Sequence, residues 1–176
     1  MRMERSEAIA VTGSASASSR LAELYESHIG RAVALAALVG GEADAAEDIA
    51  HEAFIRTAGR LAGLRDPSAF DAYLRRTVVN LCRARARRAS TERRYARWLA
   101  PRDTETALSQ TEERDVLWRA LRELPLRQRA SVVLRYYEDL SEEQVADAMR
   151  CSPRAVNALV SRAMATLRER IQEERT

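Results

Sequence analysis

The sequence predicts an all-α protein, built from two small helical domains that a flexible linker joins. Ala, Leu, Arg and Glu dominate its 176 residues, and these side chains lose little conformational freedom when they enter a helix. Apolar residues recur at helical spacing in several segments, and no segment alternates polar and apolar residues long enough to predict a strand. A polar stretch that contains Pro101 separates these segments into two groups.

The first group follows a stretch of small and polar residues, 1–19, that we expect to be a disordered tail. An amphipathic helix is predicted from Leu21 to Val39, where two glycines stop it. A second helix is predicted from about Ala43 to Leu61, because its apolar residues recur at helical spacing.

A third helix begins near Asp66, which is a good N-cap, and Pro67, which is favoured as a first helical residue. Its apolar stripe is the most regular in the chain and comprises Phe70, Tyr73, Leu74, Thr77, Val78, Leu81 and Cys82. The three helices predict one domain over residues 20–98, followed by a linker over residues 99–111.

Residues 112–176 predict a second helical domain. Helices are expected over 116–124 and 125–137, followed by a pair over 140–149 and 152–173. Within this pair, Ser141 and Gln144 have the spacing of a capping box, and Ser152 precedes a proline that suits the first helical turn. A short helix, a tight turn and a longer helix are the layout of a helix-turn-helix motif.

The last helix combines an apolar face with a polar one near its N-terminus. Arg154, Asn157, Ser161 and Arg162 lie on that polar face, and such side chains contact base edges and phosphates. Recognition helices contact DNA through their N-terminal residues. On its own this face would be read as an ordinary solvated surface, but the capped helix and tight turn before it favour DNA binding.

The charge pattern also favours nucleic acid. All 29 basic residues are arginine, the net charge is +3, and eight arginines lie between positions 83 and 102 with only Glu92 as an acid among them. Such an excess predicts phosphate contacts. By contrast, the second helix is acidic near its start, and Glu47, Asp48 and Glu52 lie beyond the first turn of its predicted range. The sequence alone does not decide between the helix dipole and a basic protein partner as the explanation of these acids.

No glycine-rich phosphate loop, metal-ligand cluster or nucleophile motif is present in the sequence, so we expect no catalytic residue, no metal and no cofactor. Cys82 and Cys151 lie far apart, which predicts two buried free thiols in a reducing cytosol. The longest apolar run, Ala32 to Val39, is too short to cross a bilayer. A cytoplasmic protein without membrane insertion is therefore expected.

Two other functions fit parts of this pattern. A stand-alone helix-turn-helix repressor or activator would bind duplex DNA as a symmetric dimer. A tyrosine recombinase or nuclease would need a catalytic tyrosine, but Tyr136 and Tyr137 lack accompanying acids and bases and are better explained as core or interface residues.

Three segments carry a family resemblance. AEDIAHEAF (46–54), SAFDAYLRRTVVN (68–80) and LPLRQRASVVLRYYEDLSEEQVADAM (124–149) are similar, in order and spacing, to motifs of extracytoplasmic-function (ECF) sigma factors, and most of all to those of actinobacteria. The resemblance covers about residues 21–173. Tyr73 stands where these proteins usually have Trp, and His51 where they have Gln. The last helix departs most, at Ala155, Asn157 and Ala158.

The resemblance implies a sigma factor that binds core RNA polymerase and directs promoter-specific initiation, and it implies no enzymatic activity. The first domain would correspond to sigma region 2, which melts and captures the −10 element. The resemblance implies that the residues contacting −10 DNA are Arg65, Ser68, Arg76, Asn80, Arg83 and Arg87.

The second domain would correspond to region 4, which reads the −35 element. The implied −35 contacts are Arg154, Asn157, Ala158, Ser161 and Arg162. Core polymerase would bind Glu47, Asp48 and Glu52 through the clamp helices of its largest subunit, and region 4 through its flap. The other implied partners are promoter DNA and, as a possibility that the resemblance leaves open, an anti-sigma factor.

Overall fold

The computed structural model describes residues 4–41, 44–61, 67–95 and 112–173. These residues form α1 (Glu4–Gly40), α2 (Ala46–Leu61), α3 (Pro67–Tyr95), α4 (Glu112–Glu123), α5 (Leu126–Val132), a π-helical turn (Val133–Tyr137), α6 (Glu142–Met149) and α7 (Pro153–Glu173). No strand occurs in these ranges, and the predicted all-α fold class is confirmed. The predicted linker, 99–111, lies outside the described residues.

The first helical unit consists of α1, α2 and α3, each packed against the other two. Leu35, Phe54 and Val78 are among the buried residues that the three helices contribute to one core. Phe54 and Phe70 make an edge-to-face contact with 5.6 Å between ring centroids, and the ring of Tyr25 lies 5.1 Å from that of Phe54. Burying each such large side chain stabilises the fold by roughly 1.5–3 kcal/mol.

Helix α1 begins at Glu4, well before the Leu21 predicted from the apolar pattern. Residues 4–19 are thus helical in the structure, which differs from the disordered tail predicted for 1–19. The reason is that this stretch contains no proline and includes several alanines, the residue that favours a helix most. A helix that is already packed against α2 and α3 can therefore extend through it, since elongation adds a hydrogen bond with each residue.

The second helical unit consists of α4 to α7. Val156, Ala163 and Leu167 are the buried face of α7, and the last two pack with Leu121 and Leu124 around the end of α4. Because these residues face the core, the opposite side of α7 is exposed.

The short helix α6 is capped as the sequence predicts. The Oγ atom of Ser141 accepts a hydrogen bond of 3.3 Å from the backbone N–H of Gln144, and the Oε1 atom of Gln144 accepts one of 2.8 Å from the N–H of Ser141. Arg150 ends the helix in the left-handed region, at φ 52°, and α7 begins at Pro153. The predicted helix-turn-helix layout is confirmed.

The single helix predicted over 125–137 is in fact α5 followed by the π-helical turn. The backbone N–H of Glu138 donates to the carbonyl of Val133 at 3.1 Å, five residues earlier, so the turn accommodates an extra residue. As a result Glu138 is buried, while Tyr136 and Tyr137 are 61% and 54% exposed rather than part of the core.

The two helical units pack directly on each other. Arg129 of α5 is 7% exposed, and its guanidinium donates to three backbone carbonyls: Nε to Val39 at 2.9 Å, Nη2 to Gly40 at 3.2 Å and Nη1 to Arg122 at 3.2 Å. The first two carbonyls belong to the last turn of α1, which has no helical partners for them. A side chain of the second unit thus caps a helix of the first.

A buried carboxylate forms a second contact between the units. The Glu138 side chain is fully buried, and its Oε1 accepts a hydrogen bond of 3.2 Å from the Nε atom of Arg31. Its Oε2 lies 2.9 Å from Arg31 Nη2 and 3.7 Å from Arg75 Nη1 as an ion pair. Burial on its own lowers the pKa of Arg31, but the hydrogen bond and charge of Glu138 and the charge of Asp71 outweigh it, so that the pKa is raised.

Candidate nucleic-acid interface

Four of the residues expected to contact −10 DNA lie along one side of α3. Arg76, Asn80, Arg83 and Arg87 are spaced by four, three and four positions, which brings them to the same face of a helix. Arg87 is exposed, whereas the other three are partly buried. Arg65 lies outside the described residues, and Ser68 is in the first turn of α3 with a side chain that also lies outside them.

Helix α6 of the second unit occupies part of this face. The Nη2 atom of Arg76 donates to the Oδ1 atom of Asp147 at 3.2 Å, and the Nη1 atom of Arg83 donates to the carbonyl of Met149 at 3.3 Å. Both arginines thus bind acceptors at the C-terminal end of α6, where the helix dipole adds negative potential. Nothing in the sequence pattern indicates this contact, because it joins residues about seventy positions apart.

Arginines of both units lie near Arg83. Burial lowers the pKa of Arg83, and the charges of Arg127 and Arg87 lower it further. Arg127 comes from the second unit, so both units contribute cations to this place. Cations held this close together repel each other, and a phosphate placed among them would relieve the repulsion.

The residues expected to contact −35 DNA lie together on the outside of α7. Arg154, Asn157, Ala158, Ser161 and Arg162 are all exposed and occupy its first three turns, opposite the buried Val156 and Ala163. Here the structure brings the predicted residues together in one surface. Its position at the N-terminal half of the second helix of a helix-turn-helix is where base contacts are made in such motifs.

One neighbour of this surface is not indicated by the sequence pattern. Glu142, the first residue of α6, accepts hydrogen bonds from the Asn157 Nδ2 atom at 3.1 Å to Oε1 and 3.3 Å to Oε2. The two residues are fifteen positions apart, and only the tight turn between α6 and α7 brings them together. The capping box that starts α6 is visible in the sequence, but the contact of the adjacent Glu142 with Asn157 is not.

The acidic residues of α2 form an exposed surface on the first unit. α2 begins at Ala46 rather than near Ala43, so Glu47 and Asp48 lie in its first turn, where the helix dipole favours acids, and not beyond it as expected. Glu47, Asp48 and Glu52 are all exposed, and Glu52 Oε1 accepts a hydrogen bond of 2.5 Å from Arg56 Nη2. Ile55, on the same helix, is 70% exposed. An exposed hydrophobic side chain on the same helix as exposed carboxylates is suited to a protein partner with a basic rim.

The two histidines make hydrogen bonds within the first unit, and the two cysteines form no disulfide. His51 shares a hydrogen bond of 2.6 Å with the Tyr25 hydroxyl, and His28 Nδ1 lies 2.9 Å from the carbonyl oxygen of Leu24. Cys82 and Cys151 are free thiols, but only Cys82 is buried as expected, because Cys151 lies in the short turn between α6 and α7 and is partly exposed. Among the described residues no cluster of His, Cys, Asp and Glu could hold a metal ion. None of the described helices combines the length and the apolar character needed to span a bilayer.

Each of the two helical units matches the model of a known protein family. The family model for Sigma-70 region 2 matches residues 24–92, and the model for Sigma-70, region 4 matches residues 114–167. The RNA polymerase sigma-E factor of Streptomyces antibioticus is 35% identical over 127 residues, which cover 72% of this chain and 71% of that protein. The sigma-E factor of Streptomyces coelicolor is 34% identical over 126 residues, with the same coverage.

A solved structure shares the fold. The sigma factor RpoE of Bartonella quintana, crystallised with the anti-sigma factor NepR, superposes with a TM-score of 0.69 at 20% sequence identity. The match covers 82% of this chain and 91% of that chain. With region 2 matched to the unit that carries the arginine face of α3, and region 4 matched to the helix-turn-helix, this chain belongs to the sigma-70 family of RNA polymerase sigma factors.

Proposed function

We propose that this chain binds core RNA polymerase and directs initiation at specific promoters, by recognising the −35 element and melting the −10 element. The observation that carries the proposal is the match of regions 2 and 4 to the two helical units, each of which has a surface suited to DNA. The chain is a non-enzymatic initiation factor in this proposal, and it acts in the cytoplasm, where promoter DNA and polymerase meet.

In the first unit, Asn80 is the residue proposed to hold a flipped base of the non-template strand, together with Arg65 and Ser68 of the segment before it. An amide side chain has both a donor and an acceptor for the edge of an unpaired base. Unstacking that base costs a few kcal/mol, which contacts in the pocket must offset. The remaining −10 contacts, through phosphates, are assigned to Arg76, Arg83 and Arg87.

In the second unit, α7 is proposed to enter the major groove of the −35 element. Arg154 and Arg162 provide the forked donors that suit guanine edges or phosphates, while Asn157, Ala158 and Ser161 lie between them. Duplex contacts of this kind fix the position of the protein on the promoter before the −10 element opens.

The acidic surface of α2 is proposed as the polymerase contact. Glu47, Asp48 and Glu52 would pair with basic residues of the clamp helices, with Ile55 as an apolar anchor. Region 4 would bind the flap. An anti-sigma factor is a further proposed partner, since the solved relative was crystallised with one.

DNA binding by α3 requires a change from the packed arrangement of the two units. Arg76 and Arg83 already donate to α6, so their phosphate contacts would replace those to Asp147 and Met149. A −10 and a −35 element also lie apart along DNA, and two units in contact cannot reach both. Polymerase binding is therefore expected to separate the units before promoter binding.

Run-off transcription with purified core enzyme tests the proposal. Added to core polymerase and sheared DNA of the source genome, the chain should direct discrete transcripts that core enzyme alone does not make. In a heparin-challenged assay on one such promoter, Asn80→Ala should reduce open complexes, whereas Ser90→Ala, farther along the same helix, should not. The absence of any specific transcript, with binding of duplex DNA as a symmetric dimer, would support a stand-alone repressor or activator instead.

A further inference from the structure

The contact between Glu142 and Asn157 places a carboxylate beside the surface of α7 that is proposed to face DNA. Asn157 is exposed in the second turn of α7, with Arg154, Ala158 and Ser161 as its neighbours on the same face. Its Nδ2 atom donates to both carboxylate oxygens of Glu142, at 3.1 and 3.3 Å. The Glu142–Asn157 pair therefore adds a negative charge to a surface that otherwise carries arginines.

The chemistry of the two groups fixes the orientation of the amide. A carboxylate has only acceptors, so it can bind the NH2 end of Asn157 and not its oxygen. The Oδ1 atom of Asn157 must then point away from Glu142. Glu142 itself is held at the first position of α6 by the capping box that precedes it, where the helix dipole favours a carboxylate. The pair is therefore positioned by two helices rather than by one flexible side chain.

An asparagine whose amide is free reads adenine with two hydrogen bonds, accepting from N6 and donating to N7. The NH2 group of Asn157 has two N–H donors, and the carboxylate of Glu142 engages this group at 3.1 and 3.3 Å. The carboxylate also repels N7 of adenine, which is itself an acceptor, so that the second bond is weakened. What the pair offers to DNA is therefore mainly acceptors: the Oδ1 atom of Asn157 and the lone pairs that remain on the carboxylate. In the major groove, only the N6 amine of adenine and the N4 amine of cytosine donate to such a surface.

We propose that Glu142 and Asn157 together form a specificity determinant of the −35 contact, which selects a base with an amino group, adenine or cytosine, over guanine or thymine. The inference rests on the proposed function, because it assumes that α7 faces the major groove. Guanine places O6 and N7 there and thymine places O4, and these acceptors are repelled by the oxygens of the pair. Arg154 and Arg162 have the opposite preference, so the two kinds of side chain discriminate between bases at different positions.

The proposal makes distinct predictions for the two residues. When Glu142 is replaced by Ala, no carboxylate engages the NH2 group of Asn157 or repels N7 of adenine, so the preference should narrow from adenine or cytosine to adenine. When Glu142 is replaced by Gln, the side chain keeps its size but gains a donor, so guanine and thymine should become acceptable. When Asn157 is replaced by Ala, discrimination at this position should fall.

Transcription by reconstituted holoenzyme from a promoter library with randomised −35 bases measures these preferences, through sequencing of the transcribed templates. We expect one position at which wild-type protein favours adenine or cytosine by about fivefold or more. Glu143→Gln is the matched control, because it removes an adjacent acid of the same helix that does not contact Asn157. Its base preferences should equal those of the wild type at every position.

Unchanged base preferences in both Glu142→Ala and Glu142→Gln, or a preference for guanine or thymine at the position that responds to Asn157→Ala, would overturn the inference while leaving the sigma-factor function intact. Far-ultraviolet circular dichroism of each variant checks that α6 and α7 remain folded, and the isosteric Gln variant still decides the question if the Ala variant unfolds. If wild-type holoenzyme makes no specific transcript, the proposed function fails and this inference fails with it.

Discussion

The Nε atom of Arg129 lies 2.9 Å from the carbonyl oxygen of Val39, so a side chain of region 4 completes the C-terminal cap of a region 2 helix. Buried carbonyls without a hydrogen-bond donor are costly, and here Arg129 satisfies the last ones of α1. The capped helix end, the Glu138 ion pairs and the contact of α6 with α3 together form one interface between the units, whose parts can be tested separately.

Replacing Arg129 with Met should destabilise the chain by about 2–4 kcal/mol, because several buried carbonyls lose a charged donor at once. Arg129→Lys should have an intermediate effect, since an ammonium group cannot reach all three acceptors. Urea unfolding followed by circular dichroism measures both values. Arg127→Met, an exposed arginine of the same helix, is the control. Equal stability of the Arg129 and Arg127 variants would contradict the role given to Arg129.

Gly41 should not tolerate a side chain. Its φ is 80°, in the left-handed region, and an added Cβ atom would lie 2.8 Å from the Nη1 atom of Arg129. Gly41→Ala should therefore cost about 1–3 kcal/mol of stability. Gly30→Ala, in the middle of α1 with nothing within 4 Å of the added atom, should instead stabilise the chain by up to about 1 kcal/mol. Thermal unfolding of the two variants should shift in opposite directions, and a shared direction would argue against this account.

Neutralising Glu138 should loosen the contact between the units. Glu138→Gln removes the charge that pairs with Arg31 and Arg75 across the interface, and leaves the two arginines with Asp71, which belongs to their own unit. We expect small-angle X-ray scattering to show a larger radius of gyration than for the wild type, with the helical content unchanged. Asp139→Asn, at the exposed next position, should retain the wild-type radius. A compact Glu138→Gln protein would mean that apolar packing alone holds the units together.

Removing Asp147 should expose the −10 surface of the free chain. Asp147→Ala leaves Arg76 without its 3.2 Å partner on α6, so that this arginine becomes available for phosphate. Fluorescence anisotropy with a single-stranded −10 oligonucleotide should report severalfold tighter binding than for the wild type at low salt. The gain should shrink as salt rises, because phosphate contacts release counterions. No gain in affinity would show that contact with α6 does not limit DNA binding. Glu143→Gln, on the same helix, should bind as the wild type does.

Burial raises the pKa of the Cys82 thiol from 9.0 to about 12. The folded chain therefore retains this proton between pH 9 and 12 while the unfolded chain loses it, so this thiol makes the folded state less stable as pH rises above 9. At pH 8.5, iodoacetamide should modify Cys151, which is partly exposed, well before Cys82. Peptide mass spectrometry measures the order, and 6 M urea should abolish the difference. Fast modification of Cys82 in the native chain would contradict its burial.

The sequence predicts the features that depend on neighbouring residues. The capping box of Ser141, the tight turn before Pro153 and the periodic stripe of α3 all arise from local spacing, and the structure contains each of them. The contacts of Arg129 and Glu138 were not predicted, since nothing in a sequence distinguishes an arginine or glutamate that will be buried against a distant segment. The same limit applies to Glu142, whose role depends on a neighbour across the turn.

The π-helical turn determines the angle, around the helix axis, between the side chains of Arg129 and Glu138. Deleting one residue from 133–137 would restore ordinary α-helical spacing and rotate every later residue by about 100° around the axis. Arg129 would still reach α1, but Glu138 would face away from Arg31, and α6 would no longer meet α3. Natural variation in length should therefore be rare in these five positions.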